Sequence, residues 1–333
     1  MKFIVVVFVL LVTALLTAVS IGYWIERPVT LTSPVEITID QGESTSRIAA
    51  ALDSAGVIRT ARGFRWLAKW RGVDRNLHPG RYRFEGSLTI GEVLSTLSEG
   101  RAMTVSVTIP EGWTLARIAS HLSSELGFPE DSLRPLLRDP RIRATIAPEA
   151  SNLEGYIWPD TYQFYWGIDP RVVLDELTKT TKSFFADSLI SRARALGLTK
   201  HKILTLASMI EAEAAEGTER GLISGVFHNR LRDGWLMQCD PTVVYAMGGL
   251  PPGRSLQKSD LDFDSPYNTY RYAGLPPGPI CNPGRASILA ALYPDSTNAM
   301  YFVANGDGSH TFSRTLDQHN TARAKIRREL RKR

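Results

Sequence analysis

The sequence of 333 residues predicts an α+β protein in three parts. These are a single N-terminal transmembrane helix (1–25), a small domain (26–104) and a larger mixed α/β domain (105–333). Three observations support this: a long uncharged N-terminal run, a strand–glycine–helix pattern that occurs twice, and a C-terminal half in which apolar segments alternate with loop-rich stretches. The hydrophobic content of 43% and the charged content of 22% are ordinary for globular domains.

Residues 3–25 contain no charged side chain. A helix of this length reaches about 30 Å, which is the thickness of a bilayer core. Tyr23 and Trp24 suit the membrane interface. Small residues near the end of the run are also typical of a signal-peptide cleavage site, so a cleaved signal peptide is the alternative interpretation. The apolar run is longer than is usual for a signal peptide. Because Lys2 favours a cytoplasmic N-terminus, we expect a single-pass inner-membrane protein in which the rest of the chain lies outside the cytoplasm.

The charge distribution and the cysteine and histidine patterns exclude several classes of function. Residues 321–333 hold seven Arg and Lys residues and one Glu, whereas the whole chain has a net charge of +5. The remainder therefore lacks the basic face that is typical of nucleic-acid binding. The two cysteines cannot form a disulfide framework, and no metal-binding motif is present among the six histidines. The sequence predicts no metal, no cofactor and no nucleic-acid partner.

A 16-residue pattern occurs twice, in residues 37–52 and 107–122. Each copy predicts a short strand, a glycine turn and a helix that is capped by Ser or Thr. The positions that coincide are Thr38/Thr108, Ile39/Ile109, Gly42/Gly112, Arg47/Arg117, Ile48/Ile118, Ala49/Ala119 and Leu52/Leu122.

The segment between the two copies predicts a helix at 64–72, a turn into a strand at 77–86 and a second helix at 88–100. With the first copy, this pattern resembles LysM, a small module that grips N-acetylglucosamine polymers. We therefore expect a LysM-like domain at 26–104. The alternative is that any strand–glycine–helix unit produces the same pattern, and glycan binding by this domain stays open.

Two glutamates enter the buried-helix pattern of residues 206–215. Glu211 lies seven residues after Leu204, and Glu213 lies seven after Leu206, so each continues an apolar stripe. A helix with apolar residues on most sides is buried, and either acid could enter a cleft. Helix geometry alone does not choose between them.

Five stretches of the C-terminal half are dense in Gly, Pro, Asn, Asp and aromatic residues, a composition that favours functional loops. They are residues 153–164, 207–213, 229–246, 265–284 and 301–312. In this order and spacing they resemble the endolytic murein transglycosylase family, also called YceG-like. The resemblance implies a lyase that cuts nascent glycan strands of peptidoglycan internally, at MurNAc–GlcNAc bonds.

The resemblance places the catalytic acid at Glu211 and leaves Glu213 a supporting or structural role. One carboxyl suffices for this chemistry, because the nucleophile is the 6-hydroxyl of the substrate's own N-acetylmuramic acid. The product then has a 1,6-anhydro end. Such an acid has to begin protonated, which requires a pKa that burial raises toward about 6.

The same resemblance implies a set of residues that shape the cleft. The expected substrate-binding residues are Glu154, Gln238, Asp240, Thr242, Asn268 and Tyr270. Ser208 and His310 are further candidates, like Glu213, for supporting roles, and a structural role for the histidine is the alternative. Cys239 and Cys281 lie in two of these loops, so we expect either a disulfide or two separately packed thiols.

Two other functions stay open at this point. A muramidase would hydrolyse the same bond and leave reducing ends, and a membrane-anchored glycan-binding protein would recruit wall-synthesis machinery without cutting. The expected partners are peptidoglycan strands, membrane lipid at the N-terminal helix and, by family resemblance, peptidoglycan synthases.

Overall fold

The structure is a computed structural model that describes residues 12–13, 16–17, 20, 22–24, 26–214 and 217–331. The predicted anchor, residues 3–25, falls mostly outside the described residues. Within the described part of the chain, no helix has both the length and the hydropathy required to cross a membrane. Helices and short strand pairs occur together along the chain, which confirms the mixed α+β class.

The chain divides into two compact units. The small unit contains the described residues of Met1–Val107, with Ser124–Phe128 and Gln163–Asp169; the large unit contains Thr108–Ser123, Pro129–Tyr162 and the described residues of Pro170–Arg333. The domain assignments 26–104 and 105–333 remain predictions.

The first half of the small unit alternates strands and helices. Its elements are β1 (Val29–Thr30), β2 (Val35–Ile39), α1 (Thr45–Ser54), α2 (Ala61–Trp70), β3 (Gly80–Phe84), β4 (Ser87–Leu88) and α3 (Ile90–Ser98). Strand β2 pairs antiparallel with β3, so that Val35 lies opposite Phe84, and β1 pairs with β4. Alternate residues of both central strands point into one hydrophobic core. The helices and the strand predicted between the two copies are confirmed.

Both copies of the repeat form the predicted strand, turn and helix. The second copy consists of β5 (Thr104–Thr108) and α4 (Leu115–Leu126), as the first consists of β2 and α1. The turn glycines have nearly the same left-handed conformation, with φ of 79° at Gly42 and 76° at Gly112. Only glycine adopts this conformation without strain, which explains its position in both copies.

The remaining elements complete the chain. They are α5 (Glu130–Leu133), α6 (Pro140–Ile146), β6 (Thr161–Tyr165), α7 (Pro170–Phe184), α8 (Asp187–Ala195), α9 (Lys200–Glu213), α10 (Arg220–Arg232), α11 (Asp240–Ala246), α12 (Arg285–Leu292), β7 (Tyr301–Ala304), β8 (His310–Ser313) and α13 (Leu316–Leu330). Strand β5 pairs with β6, and β7 forms an antiparallel hairpin with β8.

Helix α9 is the central helix of the large unit. Thr199 caps its N-terminus: the Thr199 hydroxyl accepts a hydrogen bond from the Lys202 backbone amide at 3.3 Å. Every residue from Ile203 to Ile210 is buried, and the helix packs most extensively against α12. A helix that is apolar on all sides is enclosed by its neighbours. In the last turn, Glu211 and Glu213 are partly buried, and Ala212 between them is exposed.

Candidate active site

The Glu211 carboxylate is held between two donors at the end of α9. Its Oε1 lies 3.3 Å from the Arg220 guanidinium, and its Oε2 accepts a hydrogen bond of 2.9 Å from the Gly284 amide. Only 7% of the side chain is exposed. Gly284 is the residue that caps the N-terminus of α12, so the helix dipole adds to the positive potential at this carboxylate. These contacts fix the position of the Glu211 carboxylate at the end of α9.

Glu111, in the turn of the second copy, is a second carboxylate at this position. A Cβ added to Gly284 would overlap the Glu111 carboxylate, so the absent side chain at Gly284 is what makes room for it. Partial burial and the Glu211 charge raise the pKa of Glu111, and Arg220 opposes the shift. Two carboxylates and one guanidinium therefore share the site.

Glu213, two residues after Glu211 on the same helix, has a different environment from Glu211. Burial, with a smaller contribution from the Asp240 charge, raises the pKa of Glu213 to about 7. A hydrogen bond with Cys239 and the charges of His310 and Arg230 oppose the shift. A carboxyl with this pKa exchanges a proton near neutral pH. This is the property expected of a general acid.

A cavity of about 980 Å³ borders the last turn of α9. Its wall includes Gly112, Glu154, Ala212, Asp240 and Tyr245. The volume is at the upper end of the roughly 300–1,000 Å³ that is usual for small-ligand sites. Ala212 belongs to the wall, and the two acids, Glu211 and Glu213, are the residues on either side of it. Glu211 also lies close to Gly112, another wall residue: a Cβ built on Gly112 would lie 3.9 Å from the Glu211 Cγ.

Glu154 is buried in the wall of the cavity. Its carboxyl accepts hydrogen bonds from the Leu115 amide at 3.0 Å, the Asn282 side chain at 3.0 Å and the Tyr245 hydroxyl at 3.3 Å. Burial raises the pKa of Glu154 to about 8, and these three donors oppose the shift. Because Leu115 is the first residue of α4, Glu154 fixes the start of that helix against the cavity wall.

Gln238 is the one non-glycine residue of the described chain with a positive φ, 48°. Gln238 is exposed, and its backbone amide donates a hydrogen bond of 3.1 Å to the Thr269 carbonyl. Such backbone strain is concentrated at functional sites. Beside it, the exposed Asp240 accepts a hydrogen bond of 2.5 Å from the Tyr270 hydroxyl, whose pKa burial and this contact raise.

Like Glu154, the predicted substrate-binding residues Thr242 and Asn268 are buried, and they hold the loops. The Thr242 hydroxyl donates to the Cys239 carbonyl at 2.7 Å and contacts the Thr269 hydroxyl at 2.9 Å. The Asn268 amide group donates to the carbonyls of residues 261 and 263 at 2.8 and 2.7 Å. Both side chains are fully buried, so in this structure they shape the site without facing it.

Ser208 and His310 also have internal partners. The Ser208 hydroxyl donates to the Thr205 carbonyl at 2.7 Å and accepts from the Ile280 amide at 3.0 Å, which joins α9 to the loop before α12. The His310 Nδ1 lies 2.7 Å from a Glu219 carboxylate oxygen. These contacts favour the structural role that the sequence left open for the histidine.

The disulfide considered between Cys239 and Cys281 does not form. Both cysteines are free, buried thiols. The Cys281 sulfur donates to the Ser208 carbonyl at 3.3 Å, whereas Cys239 hydrogen-bonds to Glu213. The two thiols are packed separately and face different partners. No group of three or more His, Cys, Asp or Glu side chains in the described residues could hold a metal ion.

The sequence profile of the YceG-like family matches residues 37–325. The chain belongs to the YceG-like family. It is 34% identical over 309 residues to a Bacillus subtilis (strain 168) protein named endolytic murein transglycosylase, covering 87% of this chain and 84% of that protein. A Streptococcus pneumoniae (strain D39) protein of the same name is 27% identical over 316 residues, and the match covers 86% of this chain but 57% of that protein.

A solved structure also resembles this YceG-like chain. It is the 2.6 Å crystal structure of a putative YceG-like protein from Listeria monocytogenes, which matches with a TM-score of 0.60 and 33% identity. The match covers 87% of this chain and 99% of that one. The similarity in fold therefore extends over most of both chains.

Sequence reasoning missed three residues of the site in this YceG-like chain: Glu111, Arg220 and Gly284. One signal could have indicated Glu111. The two copies of the repeat differ at this position, where the first copy has Gln41. No comparable signal marks Arg220 or Gly284, because each acquires its role only through its contact with Glu211 in the folded chain.

Proposed function

We propose that this chain is a lytic transglycosylase that cuts peptidoglycan strands internally, at MurNAc–GlcNAc bonds. The names of its relatives and the site geometry support this function. The observation that carries it is the Glu211 carboxylate, fixed beside the cavity by the Arg220 guanidinium and the Gly284 amide. An acid whose position is fixed in this way suits a reaction whose nucleophile belongs to the substrate, because that reaction requires no second carboxylate to activate water.

In the proposed mechanism, Glu211 first donates its proton to the glycosidic oxygen while the bond from that oxygen to C1 breaks. The carboxylate that forms is stabilised by the donors at Arg220 and Gly284. The 6-hydroxyl oxygen of N-acetylmuramic acid then attacks C1, and its proton returns to Glu211. The acid is regenerated, no water is consumed, and the product has a 1,6-anhydro end.

The proposed substrate contacts are two exposed side chains: Asp240, which belongs to the cavity wall, and Gln238, two residues before it. Gln238 offers an amide, and Asp240 offers a carboxylate that Tyr270 orients; both suit sugar hydroxyls. The buried members of the predicted set, Glu154 and Asn268 among them, hold the cavity wall and its loops in place. No cofactor enters this mechanism.

Glu213 is the second candidate for the proton donor. Its pKa of about 7 favours it, because a group with this pKa is partly protonated at neutral pH. The specific contacts of Glu211 favour the first assignment. The two candidates differ in a measurable way, since each predicts which Glu→Gln variant abolishes cleavage.

The test is mass spectrometry of purified sacculi after incubation with the full-length protein. Anhydro ends are expected. Reducing ends would identify a muramidase, and the absence of cleavage would favour a glycan-binding protein. Glu211→Gln, which keeps the shape but cannot transfer the proton, is expected to lower cleavage by at least about 100-fold.

Glu213→Gln is the matched control for this variant, because it makes the same change two residues away on the same helix. We expect it to keep most of the activity. Near-normal cleavage by Glu211→Gln, together with loss in Glu213→Gln, would reverse the two assignments. Circular dichroism of both variants checks that the fold is retained.

We also propose that residues 3–25 anchor the protein in the inner membrane and that the small unit is a LysM-like domain outside the cytoplasm. The uncharged N-terminal run and the strand–turn–helix pattern support these assignments, and peptidoglycan synthases remain the proposed protein partners. An anchored protein stays in the membrane fraction after a high-salt wash and keeps Met1. A soluble form with a new N-terminus near Ile21 would instead indicate a cleaved signal peptide.

A further inference from the structure

Helix α2 of the small unit exposes an unusual face to solvent. Five exposed residues form it at helical spacing and are called the tryptophan face below: Arg62, Arg65, Trp66, Lys69 and Trp70. Trp66 is 57% exposed and Trp70 is 72% exposed. The opposite side of the helix, with Phe64 and Leu67, is buried in the core. The helix is therefore anchored on one side and has two large aromatic side chains in contact with water on the other.

The composition of this face is both aromatic and cationic. The two indole rings stack with centroids 6.1 Å apart and planes within 2° of each other. The helix sequence ARGFRWLAKW contains no acidic residue, so its three cations are not neutralised from within the helix. Aromatic rings combined with Lys and Arg are the side chains that favour the interface of an anionic membrane.

Both ends of α2 hold the segment that follows the predicted anchor. Arg59, just before the helix, donates to the carbonyls of Arg27 and Pro28, both at 3.3 Å. Arg71, just after it, forms an ion pair with Glu26 at 3.8 Å. Residues 26–28 therefore lie along α2, and residue 26 directly follows the run that we expect to enter the bilayer.

We propose that the tryptophan face rests on the anionic headgroup layer of the membrane that holds residues 3–25. This inference rests on the proposed anchor. The indole rings enter the headgroup region, where an amphipathic ring is favoured, and the three cations attract anionic lipid. A saccharide site is less suited to this face, because its cations can only donate hydrogen bonds to sugar hydroxyls, and the face offers no side-chain oxygen to accept one.

The test uses the full-length protein reconstituted into vesicles that contain lipid brominated near the headgroup, which quenches nearby tryptophans. One set of vesicles is phosphatidylcholine, and the other also contains phosphatidylglycerol. We expect stronger tryptophan quenching in the vesicles that contain phosphatidylglycerol, and this difference between the two vesicle sets is called the anionic increment. The double variant Trp66→Phe/Trp70→Phe should lose the anionic increment. Trp235→Phe, which removes another exposed tryptophan (42% exposed), is the matched control and should keep the increment.

A charge variant leaves both reporters in place. Arg62→Gln/Arg65→Gln/Lys69→Gln is expected to lose the anionic increment, whereas Arg323→Gln/Arg327→Gln/Arg328→Gln removes the same charge from α13 and should keep it. Trp24 remains in every variant, and its quenching reports the anchor separately from the tryptophan face. Equal quenching in both vesicles, or the same quenching with and without Trp66 and Trp70, overturns the proposal. A fluorescence change of these two residues with N-acetylglucosamine oligomers, and none with lipid, would identify a sugar site instead.

Discussion

The two copies of the strand–turn–helix unit have almost the same internal structure. Ile39 and Ile109 are 2% and 1% exposed, and Leu52 and Leu122 are both fully buried. The glycine turns differ by only 3° in φ, with 79° and 76°. Five of the seven shared pairs face the core or occupy the turn, whereas Thr38/Thr108 and Arg47/Arg117 are exposed. The core and turn residues of the local sequence therefore recur in both units.

The surroundings of the two turns are different. No atom beyond the immediate chain lies within 4 Å of a Cβ built on Gly42. The Gly112 amide instead donates to the Asn282 carbonyl at 2.8 Å, and its neighbour Glu111 packs against Gly284. The comparison shows that the unit gains its part in the site from long-range contacts and from a few unshared residues.

The largest effect is expected for the two core leucines. Leu52→Ala and Leu122→Ala each remove a fully buried side chain and leave a cavity, so each should lower the free energy of unfolding by about 2–5 kcal/mol. Denaturant unfolding measures both. If either variant left the free energy of unfolding unchanged, the two leucines would not contribute equally to the cores of the two units.

The groups that hold the N-termini of α1 and α4 should make pH-dependent contributions to stability that differ between the two helices. Glu154 accepts from the first amide of α4 and has a pKa of about 8, so the folded protein holds a proton that the unfolded chain loses at lower pH. The free energy of unfolding therefore falls between the ordinary carboxyl pKa and about pH 8, by up to about 1.4 kcal/mol per pH unit. Glu154→Gln should remove this slope.

The first copy provides the control. Ser44 caps α1 through a hydrogen bond of 3.4 Å from the Arg47 amide, and Ser44 does not titrate. Ser44→Ala should cost about 1 kcal/mol at every pH. If Glu154→Gln and Ser44→Ala had parallel pH profiles, the buried acid would have no such role.

The third prediction concerns the residue that differs between the turns. Glu111→Gln removes a charge beside Glu211 and Arg220 and should lower cleavage about 10-fold, a loss that a misplaced catalytic group can readily produce. The pH–rate profile should also move to lower pH, which a purely structural defect would not cause. Gln41→Ala, at the same position of the first copy, should leave cleavage unchanged.

The smallest effect is expected for the turn glycines. Gly42→Ala and Gly112→Ala both force a side chain into the left-handed conformation, which costs about 1 kcal/mol. Space is available in each case, because the nearest atom to a Cβ on Gly112 is 3.9 Å away. Thermal unfolding should give similar losses, and a much larger loss at Gly112 would show that the site, rather than the turn, sets its cost.

Sequence patterns predicted the local structure well. The repeat, the helices between the copies and the buried helix carrying Glu211 and Glu213 all follow from periodicity and from turn residues. The order of the five loop stretches identified the family. Because these signals depend on residues close together in the chain, they could be interpreted without knowing how the chain folds on itself.

The composition of the site depended on tertiary structure. Thr242 and Asn268 have the polar groups expected of cleft residues, yet both are buried in loop contacts. The two cysteines lie in the expected loops, yet each faces a different partner. A residue type shows what a side chain can bond to, whereas the fold decides which partner it meets.

The sequence by itself determined the α+β class, both strand–turn–helix units and the position of the two acids at the end of a buried helix. Only the tertiary structure decided that Gly284 and Arg220 hold Glu211 and that Glu111 joins them. The reason is physical: hydrophobic periodicity is written into neighbouring residues, whereas the environment of a carboxylate is set by groups brought together from distant parts of the chain.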